Sequence, residues 1–312
     1  MRGRSDRFTR QDPFFCLPVT EIFLMNRKDD GSQPVPIGES LDPARLSEHQ
    51  QLRRPIIHGL LRDGETMSLI APYDTGKSWM AIDLALAIAT GEAWLGSIPC
   101  EAGRVLYIDS ELHAETFTQR LLDVAAAKKI DLDRVSGRFD VLTLRCSSLG
   151  NLRIGEHLDF IEPESYSLII IDSFEPFMIS ASYNGDSSAM CQSSTLFRLA
   201  HKLRCALVLT QHIRIDDAPN RSILDIARPT NDESFATDTI VAIRSHHADN
   251  AVVMQSASRS WPALPPRCFR WRYPLWQPDD SLDPARPGSA EARKRRARAR
   301  RSSLTGAPLV GG

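Results

Sequence analysis

Ala71-Pro-Tyr-Asp-Thr-Gly-Lys-Ser78 is the stretch on which the reading of the fold turns. In front of it, Thr66–Ile70 is a short apolar run of strand length. Behind it, Lys77–Thr90 is apolar on most sides, reads as a helix, and stops at Gly91. The chain then repeats this strand–helix alternation. Arg104–Ile108 reads as a strand and Leu112–Lys128 as an amphipathic helix. Phe139–Leu144 and Ser167–Ile171 read as strands, Ser187–Arg204 as a helix and Ala206–Thr210 as a strand. Leu168-Ile-Ile-Ile171 has the unbroken apolarity of a strand buried on both faces. Repeated units of this kind predict an α/β fold, a mainly parallel central sheet flanked by helices. After Pro229 the pattern changes. Thr239–Arg244, Ala251–Ser256 and Cys268–Tyr273 follow one another through turns with no helix between, which predicts a C-terminal antiparallel extension.

Working outward, residues 1–44 read as a flexible leader, 45–275 as the folded domain and 276–312 as a basic, disordered tail. Asp42-Pro43 offers a helix N-cap followed by proline at the first helical position. Ser-Leu-Asp-Pro-Ala-Arg occurs at 40–45 and again at 281–286, two copies that bracket the body without forming a repeat architecture. The 312 residues are 42% hydrophobic and 25% charged, which excludes a mostly disordered, collagen-like or multi-span membrane chain. No apolar run approaches the ~20 residues of a membrane span. The six cysteines include no C-x-x-C pair. They read as free thiols in a reducing compartment and, without a signal sequence, point to the cytoplasm. Net charge is −1, yet eight Lys or Arg stand against one Glu after residue 285.

The loop at 71–78 sits where a strand ends and a helix begins, and its spacing is that of a P-loop with Ala71 in place of the opening glycine. Backbone N–H groups in a tight loop, aided by the helix N-terminus, make a cradle for a triphosphate. Pro72, Tyr73, Asp74, Thr75, Gly76, Lys77, Ser78 and Trp79 are therefore the candidate nucleotide contacts. Lys77 would neutralise the β- and γ-phosphates, and the Ser78 hydroxyl would ligate Mg²⁺. Ala71 is tolerable only with a negative φ, and Asp74 only if it turns to solvent. The plain alternative is a chance Gly-Lys-Ser before a helix. Asp172 closes a buried strand expected beside the loop's strand, where a carboxylate can hold Mg²⁺; otherwise it is a turn residue. Glu111 follows the strand Val105–Ile108, in Tyr107-Ile-Asp-Ser-Glu-Leu112, and a carboxylate there can orient and deprotonate an attacking water. Asp109 is a rival, ranked behind it in a supporting place, and a first-turn helix acid is the bland reading of Glu111. Gln211 and His212 end the strand Ala206–Thr210 and are candidates for sensing the γ-phosphate, or simply a structural strand end. Arg259, in Ser256-Ala-Ser-Arg-Ser-Trp-Pro262, is a candidate arginine finger or a surface residue beside Trp261. The run Arg293–Arg301 suits nucleic-acid phosphates, or serves as a solubilising tail.

These motifs, in this order, resemble RecA-type P-loop ATPases (the AAA family in the broad sense). The passage Gly76-Lys-Ser-Trp-Met-Ala-Ile-Asp-Leu-Ala-Leu-Ala-Ile-Ala-Thr-Gly91, running on to Trp94-Leu-Gly96, resembles the RepA-like branch of hexameric replicative helicases. Over residues 52–273 that resemblance implies a RecA-like core hydrolysing ATP with Mg²⁺, usually in a homo-oligomeric ring, commonly a hexamer, acting on single-stranded DNA. It assigns Lys77, Ser78 and Asp172 to ATP and Mg²⁺, Glu111 to the water, Gln211 to sensing and Arg259 to a finger supplied in trans. Ala257 stands where a second basic residue often precedes the finger. An ATP-responsive DNA- or partner-binding regulator with little turnover is the alternative, and a small-molecule kinase ranks last.

Overall fold

The structure is a computed structural model. It describes residues 52–145, 158, 161–174, 189–213, 237–286 and 288, with side chains of the helix at 189–203 described from residue 196 onward. Residues 1–44 and the basic run 293–301 lie outside the described residues.

A small antiparallel pair, β1 (Pro55–Ile57) and β2 (Leu61–Arg62), leads into the strand–helix series. There follow β3 (Thr66–Ala71), α1 (Lys77–Thr90), β4 (Val105–Asp109), α2 (Ala114–Lys128) and β5 (Phe139–Thr143). Next come β6 (Leu168–Asp172), α3 (Ala189–Leu203), β7 (Ala206–His212) and β8 (Thr239–Ser245). The series ends in β9 (Ala251–Ser258), β10 (Arg267–Arg272) and β11 (Leu275–Pro278). Nine strands form one sheet in the order β11-β10-β9-β8-β3-β7-β6-β4-β5. From β8 to β5 every neighbouring pair is parallel, while β8 to β11 are joined antiparallel. The predicted antiparallel extension is present.

Two details differ from the sequence reading. Asp172 was expected on a strand next to β3, but the crossover through α3 inserts β7 between β3 and β6. The ordered chain also runs past the expected boundary at 275. Leu275-Trp276 pairs back on β10, with Trp271 opposite Trp276, and Trp276 joins the core. The Pro, Asp and Gly that surround this pair hid the strand in a reading by composition.

Side chains on a strand alternate between faces. One face of the sheet packs Leu69, Tyr107, Ile170 and Val208 against α1 and α2. The other packs Ile108, Ile171 and Leu209 against α3. Helix α1 is buried almost throughout, from Met80 to Ala89, because the sheet, α2 and β11 surround it. A helix hydrophobic on all sides suits only such a central position. It ends where Gly91 turns left-handed (φ 77°) and returns its N–H to the Ala87 carbonyl.

Its one buried acid, Asp83, is a structural fastener. Asp83 Oδ1 accepts from Lys128 Nζ at 2.5 Å and Oδ2 from the Leu95 N–H at 2.9 Å. Trp94 Nε1 donates to the Met80 carbonyl at 2.9 Å. The Trp94-Leu-Gly96 turn is thereby tied across α1 to α2. Burial raises the Asp83 pKa against the opposing pull of Lys128. Lys128→Met leaves that carboxylate buried and unpaired, and should cost about 3–5 kcal/mol at neutral pH. The loss should narrow as pH falls through the raised Asp83 pKa, because the neutral acid needs no cation. Urea unfolding at pH 7 and pH 4 measures both; an equal loss at the two would assign the effect to packing alone.

Candidate active site

The parallel strands all finish on one edge of the sheet, so Ala71, Asp109, Asp172 and His212 are brought to the same side. In open α/β sheets that carboxyl edge is where ligands bind. Here it opens into a cavity of about 820 Å³, walled by the loop from Tyr73 to Ser78 together with Glu111, Asp172 and His212.

The loop is shaped by two left-handed residues, Asp74 (φ 60°) and Gly76 (φ 88°). Thr75 Oγ1 donates to the Pro72 carbonyl at 2.7 Å and closes the bend. Gly76 is required twice. Its φ is one that side chains resist, and a Cβ there would stand 3.1 Å from Trp276 Nε1. Ala71 is the last residue of β3 and is not left-handed, so the missing glycine costs nothing. Asp74 is exposed, which spares an anion its repulsion. The first N–H groups of α1 have no partner within the helix and point toward this end.

Lys77 is only 5% exposed. Its ammonium lies 3.3 Å from the Ala71 carbonyl and 2.5 Å from His212 Nδ1. The His212 ring stacks on Tyr73, centroids 3.8 Å apart and 9° between planes. Its Nε2 stands 3.3 Å from Glu111 Oε1. Lys77, His212 and Glu111 thus form a chain across the cavity floor. The hydrogen bond with His212 is the main reason the Glu111 carboxyl is pulled down to about 2, with smaller help from Ser173 and the charge of Lys77.

Asp172 is buried, and both oxygens are engaged: Tyr107 Oη donates at 2.6 Å and Thr210 Oγ1 at 2.5 Å. Burial, then the neighbouring Asp172, keeps the Tyr107 phenol protonated far into the alkaline range. Asp109 pairs with Asp172 across β4 and β6. It is fully buried, and its Oδ1 accepts the N–H groups of Glu111 (2.9 Å) and Leu112 (3.1 Å). These two bonds delay the start of α2 from the expected Leu112 to Ala114 and hold the turn that presents Glu111. Burial raises the Asp109 pKa in spite of them. Among the described residues its other oxygen has no hydrogen-bond partner.

Mg²⁺ prefers hard oxygen ligands and keeps several waters. A Ser78 hydroxyl and an Asp172 carboxylate, both walls of the cavity, are such a donor set. Each Asp172 oxygen accepts one protein hydrogen bond and keeps a lone pair for a metal-bound water.

Two candidates stand elsewhere. Gln211 shares the strand parity of Leu209, which packs on the α3 face, whereas Thr210 and His212 reach the α1 face. It is absent from the cavity wall, and its Nε2 is buried without a hydrogen-bond partner among the described residues. Arg259 follows β9, whose end pairs with Thr239 at the start of β8, so it lies exposed at the opposite edge of the sheet from the loop. Several wall residues were not singled out from sequence: Arg120, Asn250, Trp271, Tyr273 and Trp276. The aromatic density of Trp271-Arg-Tyr-Pro-Leu-Trp276 was the available signal.

A family profile described as AAA domain matches residues 34–218. The chain belongs to this AAA domain family. Its fold sets a P-loop strand and helix within a mainly parallel sheet. Two solved structures are similar. The RadB recombinase is 16% identical, with 70% of this chain and 92% of that one covered and a TM-score of 0.49. The KaiC-like protein PH0186 from the hyperthermophilic archaeon Pyrococcus horikoshii OT3 is 13% identical, with 72% and 93% covered and a TM-score of 0.48. No curated protein matches the chain. Among the described residues no helix is long and apolar enough to cross a membrane.

The Lys77–His212–Glu111 chain makes a titration prediction. A carboxyl held below 4.5 contributes stability above that value and loses it as pH falls toward about 2. In His212→Ala the largest lowering contact is gone, so Glu111 should titrate upward toward the ordinary carboxylate range. Carbon-13 NMR of labelled glutamate carboxyls reads this directly. An unmoved Glu111 titration would remove His212 from the chain.

Proposed function

We propose that the chain is an ATP-binding and ATP-hydrolysing motor that works as a homo-oligomeric ring, a hexamer, on single-stranded DNA in the manner of RepA-like replicative helicases. The observation that carries the ATPase part is convergence: Lys77, Glu111 and Asp172 come from three separate elements and wall one cavity at the carboxyl edge of the sheet. The DNA part is supported by the basic run Arg293–Arg301, whose charge suits a phosphate backbone.

In this reading the loop from Pro72 to Ser78 and the following Trp79 wrap the triphosphate. Lys77 exchanges His212 for the β- and γ-phosphates, since a buried ammonium needs a partner of at least equal strength. Ser78 and Asp172 would hold Mg²⁺, which would supply positive charge against the phosphates. Once His212 is drawn away, Glu111 loses its strongest hydrogen bond and becomes a better base. It orients the water in line with the γ-phosphorus and takes its proton as the bond to the leaving oxygen breaks. Asp109 works through Glu111, by fixing the backbone that carries it. Gln211, on the opposite face, passes the strand's response toward the α3 side, and Arg259 serves a neighbouring subunit's site.

Two experiments test this. Lys77→Ala should lose hydrolysis and bind MgATP weakly, whereas Glu111→Gln should bind MgATP normally and turn over at least a hundredfold more slowly. Full turnover in Lys77→Ala refutes the site; normal turnover in Glu111→Gln with loss in Asp109→Asn moves the base to Asp109. For the ring, Arg259→Ala alone should be inactive, yet mixing it with Lys77→Ala should restore activity through hybrid interfaces. No rescue at any ratio, or no stimulation of turnover by single-stranded DNA, would favour an ATP-responsive regulator instead.

A further inference from the structure

The two edges of the nine-stranded sheet are finished differently. At one edge β11 is only four residues long, follows Pro274 and closes in Pro278. Short length and proline keep an edge from accepting another strand. At the other edge β5 has neither device. Phe139-Asp-Val-Leu-Thr143 holds no proline, glycine or lysine and pairs with β4 residue for residue, without a bulge. That ladder fixes which backbone groups are spare. The Arg138 carbonyl accepts from the Val105 N–H at 2.8 Å, and the Leu144 N–H donates to the Asp109 carbonyl at 2.7 Å. Even-numbered residues therefore turn their backbone to β4, while Phe139, Val141 and Thr143 turn theirs outward. Among the described residues no strand lies on that side.

The side chains mark the same edge. Val141 is 39% exposed and Leu142 41%. Leu122 of α2 and Leu132 of the short 3₁₀ turn Leu132–Val135 are exposed as well. These four are the majority of the seven large apolar side chains left exposed among the described residues, and all come from the continuous stretch α2 to β5. Apolar side chains gathered beside an open ladder mark a contact surface. Asp140, the one charge on β5, is drawn back into its own subunit: Arg104 donates to its carboxylate at 2.7 Å and Tyr166 Oη at 2.8 Å.

We propose that β5 joins two copies of this chain, antiparallel, across a two-fold axis through Val141. The strand is self-complementary about that residue. Val141 of one copy meets Val141 of the other, and Phe139 of each meets Thr143 of the other. All three pairs have outward-facing backbone, so each exchanges two bonds, roughly six in all. Asp140 falls opposite Leu142, so no like charges face each other. The interface is isologous, the same patch on both subunits. It stands apart from the ring reading, because Arg259 follows β9, toward the opposite end of the strand order.

Sedimentation velocity of the full chain over a range of concentrations reads this association. Val141→Lys sets two ammonium groups face to face on the axis, and Val141→Glu sets two carboxylates there. Each alone should weaken the association about tenfold or more. An equimolar mixture should restore it, because lysine then faces glutamate; restoration also proves both variants folded. Val141→Thr keeps a β-branched side chain and every backbone bond, and should associate as the parent does. A parent chain that never forms the dimer, unchanged association in both charged variants, or no restoration on mixing would overturn the proposal. So would loss of the rescue between Arg259→Ala and Lys77→Ala when both also carry Val141→Lys, since β5 would then belong to the head-to-tail contact.

Discussion

A buried ammonium must always have company. Lys77 is folded under its own loop, where the Ala71 carbonyl and the His212 imidazole nitrogen are among its partners. The floor is therefore built around a cation held by the end of β3 and the end of β7 together. The rest of the floor follows. His212 reaches Lys77 only because β7 runs beside β3 in register, with Ala71 opposite His212. Its other nitrogen then falls on Glu111, so whatever displaces His212 from Lys77 disturbs the Glu111 carboxyl in the same motion.

The carboxylates show how one edge of a sheet gives like groups unlike properties. Asp109 and Asp172 are register partners, yet Asp172 is met by two hydroxyls and Asp109 by two backbone N–H groups. Asp109 still has its pKa raised by burial, while Glu111, two residues on and half-exposed, is pulled down by His212. A protonatable acid beneath an ionised one is a stable arrangement. Burial is the chief cause of the raised Asp109 pKa, and the nearby charges of Asp172 and Glu111 add to it.

Much of this was legible in the residues. The bounds of α1 are those read from its apolar span and Gly91, because a helix buried on all sides leaves an unmistakable pattern. The convergence of Lys77, Glu111 and Asp172 follows from each lying at the carboxyl end of a parallel strand or in the loop that leaves it. What was not legible has physical causes too. The parity that sends His212 to one face and Gln211 to the other is invisible in Ala206-Leu-Val-Leu-Thr210, since a strand buried on both faces shows no alternation. The insertion of β7 between β3 and β6 is a matter of chain crossover, on which local sequence is silent. The bonds that make Asp109 a brace for Glu111 depend on a turn geometry that no spacing rule encodes.

The aromatic hairpin shows why composition misled at the C-terminus. Pro274, Pro278, Asp279 and Asp280 surround Leu275-Trp276, and average hydropathy over such a stretch looks like tail. The stabilising term is not average. Trp276 is 5% exposed and seated against the glycine that caps α1. Around it, Arg270 Nε holds Asp279 at 2.6 Å, and the Asp279 N–H returns to the Cys268 carbonyl at 3.0 Å, so the polar residues are spent on closing the hairpin. One large ring in the right place outweighs several solvent-loving neighbours, because burial of an aromatic side chain is worth about 1.5–3 kcal/mol and a surface aspartate costs nothing to leave in water. Gly76 is then constrained from two directions at once, by the backbone turn the loop requires and by the indole behind it. A substitution there would press on the phosphate loop and the hairpin together, which makes the antiparallel extension as much a part of the loop's architecture as the strand that precedes it.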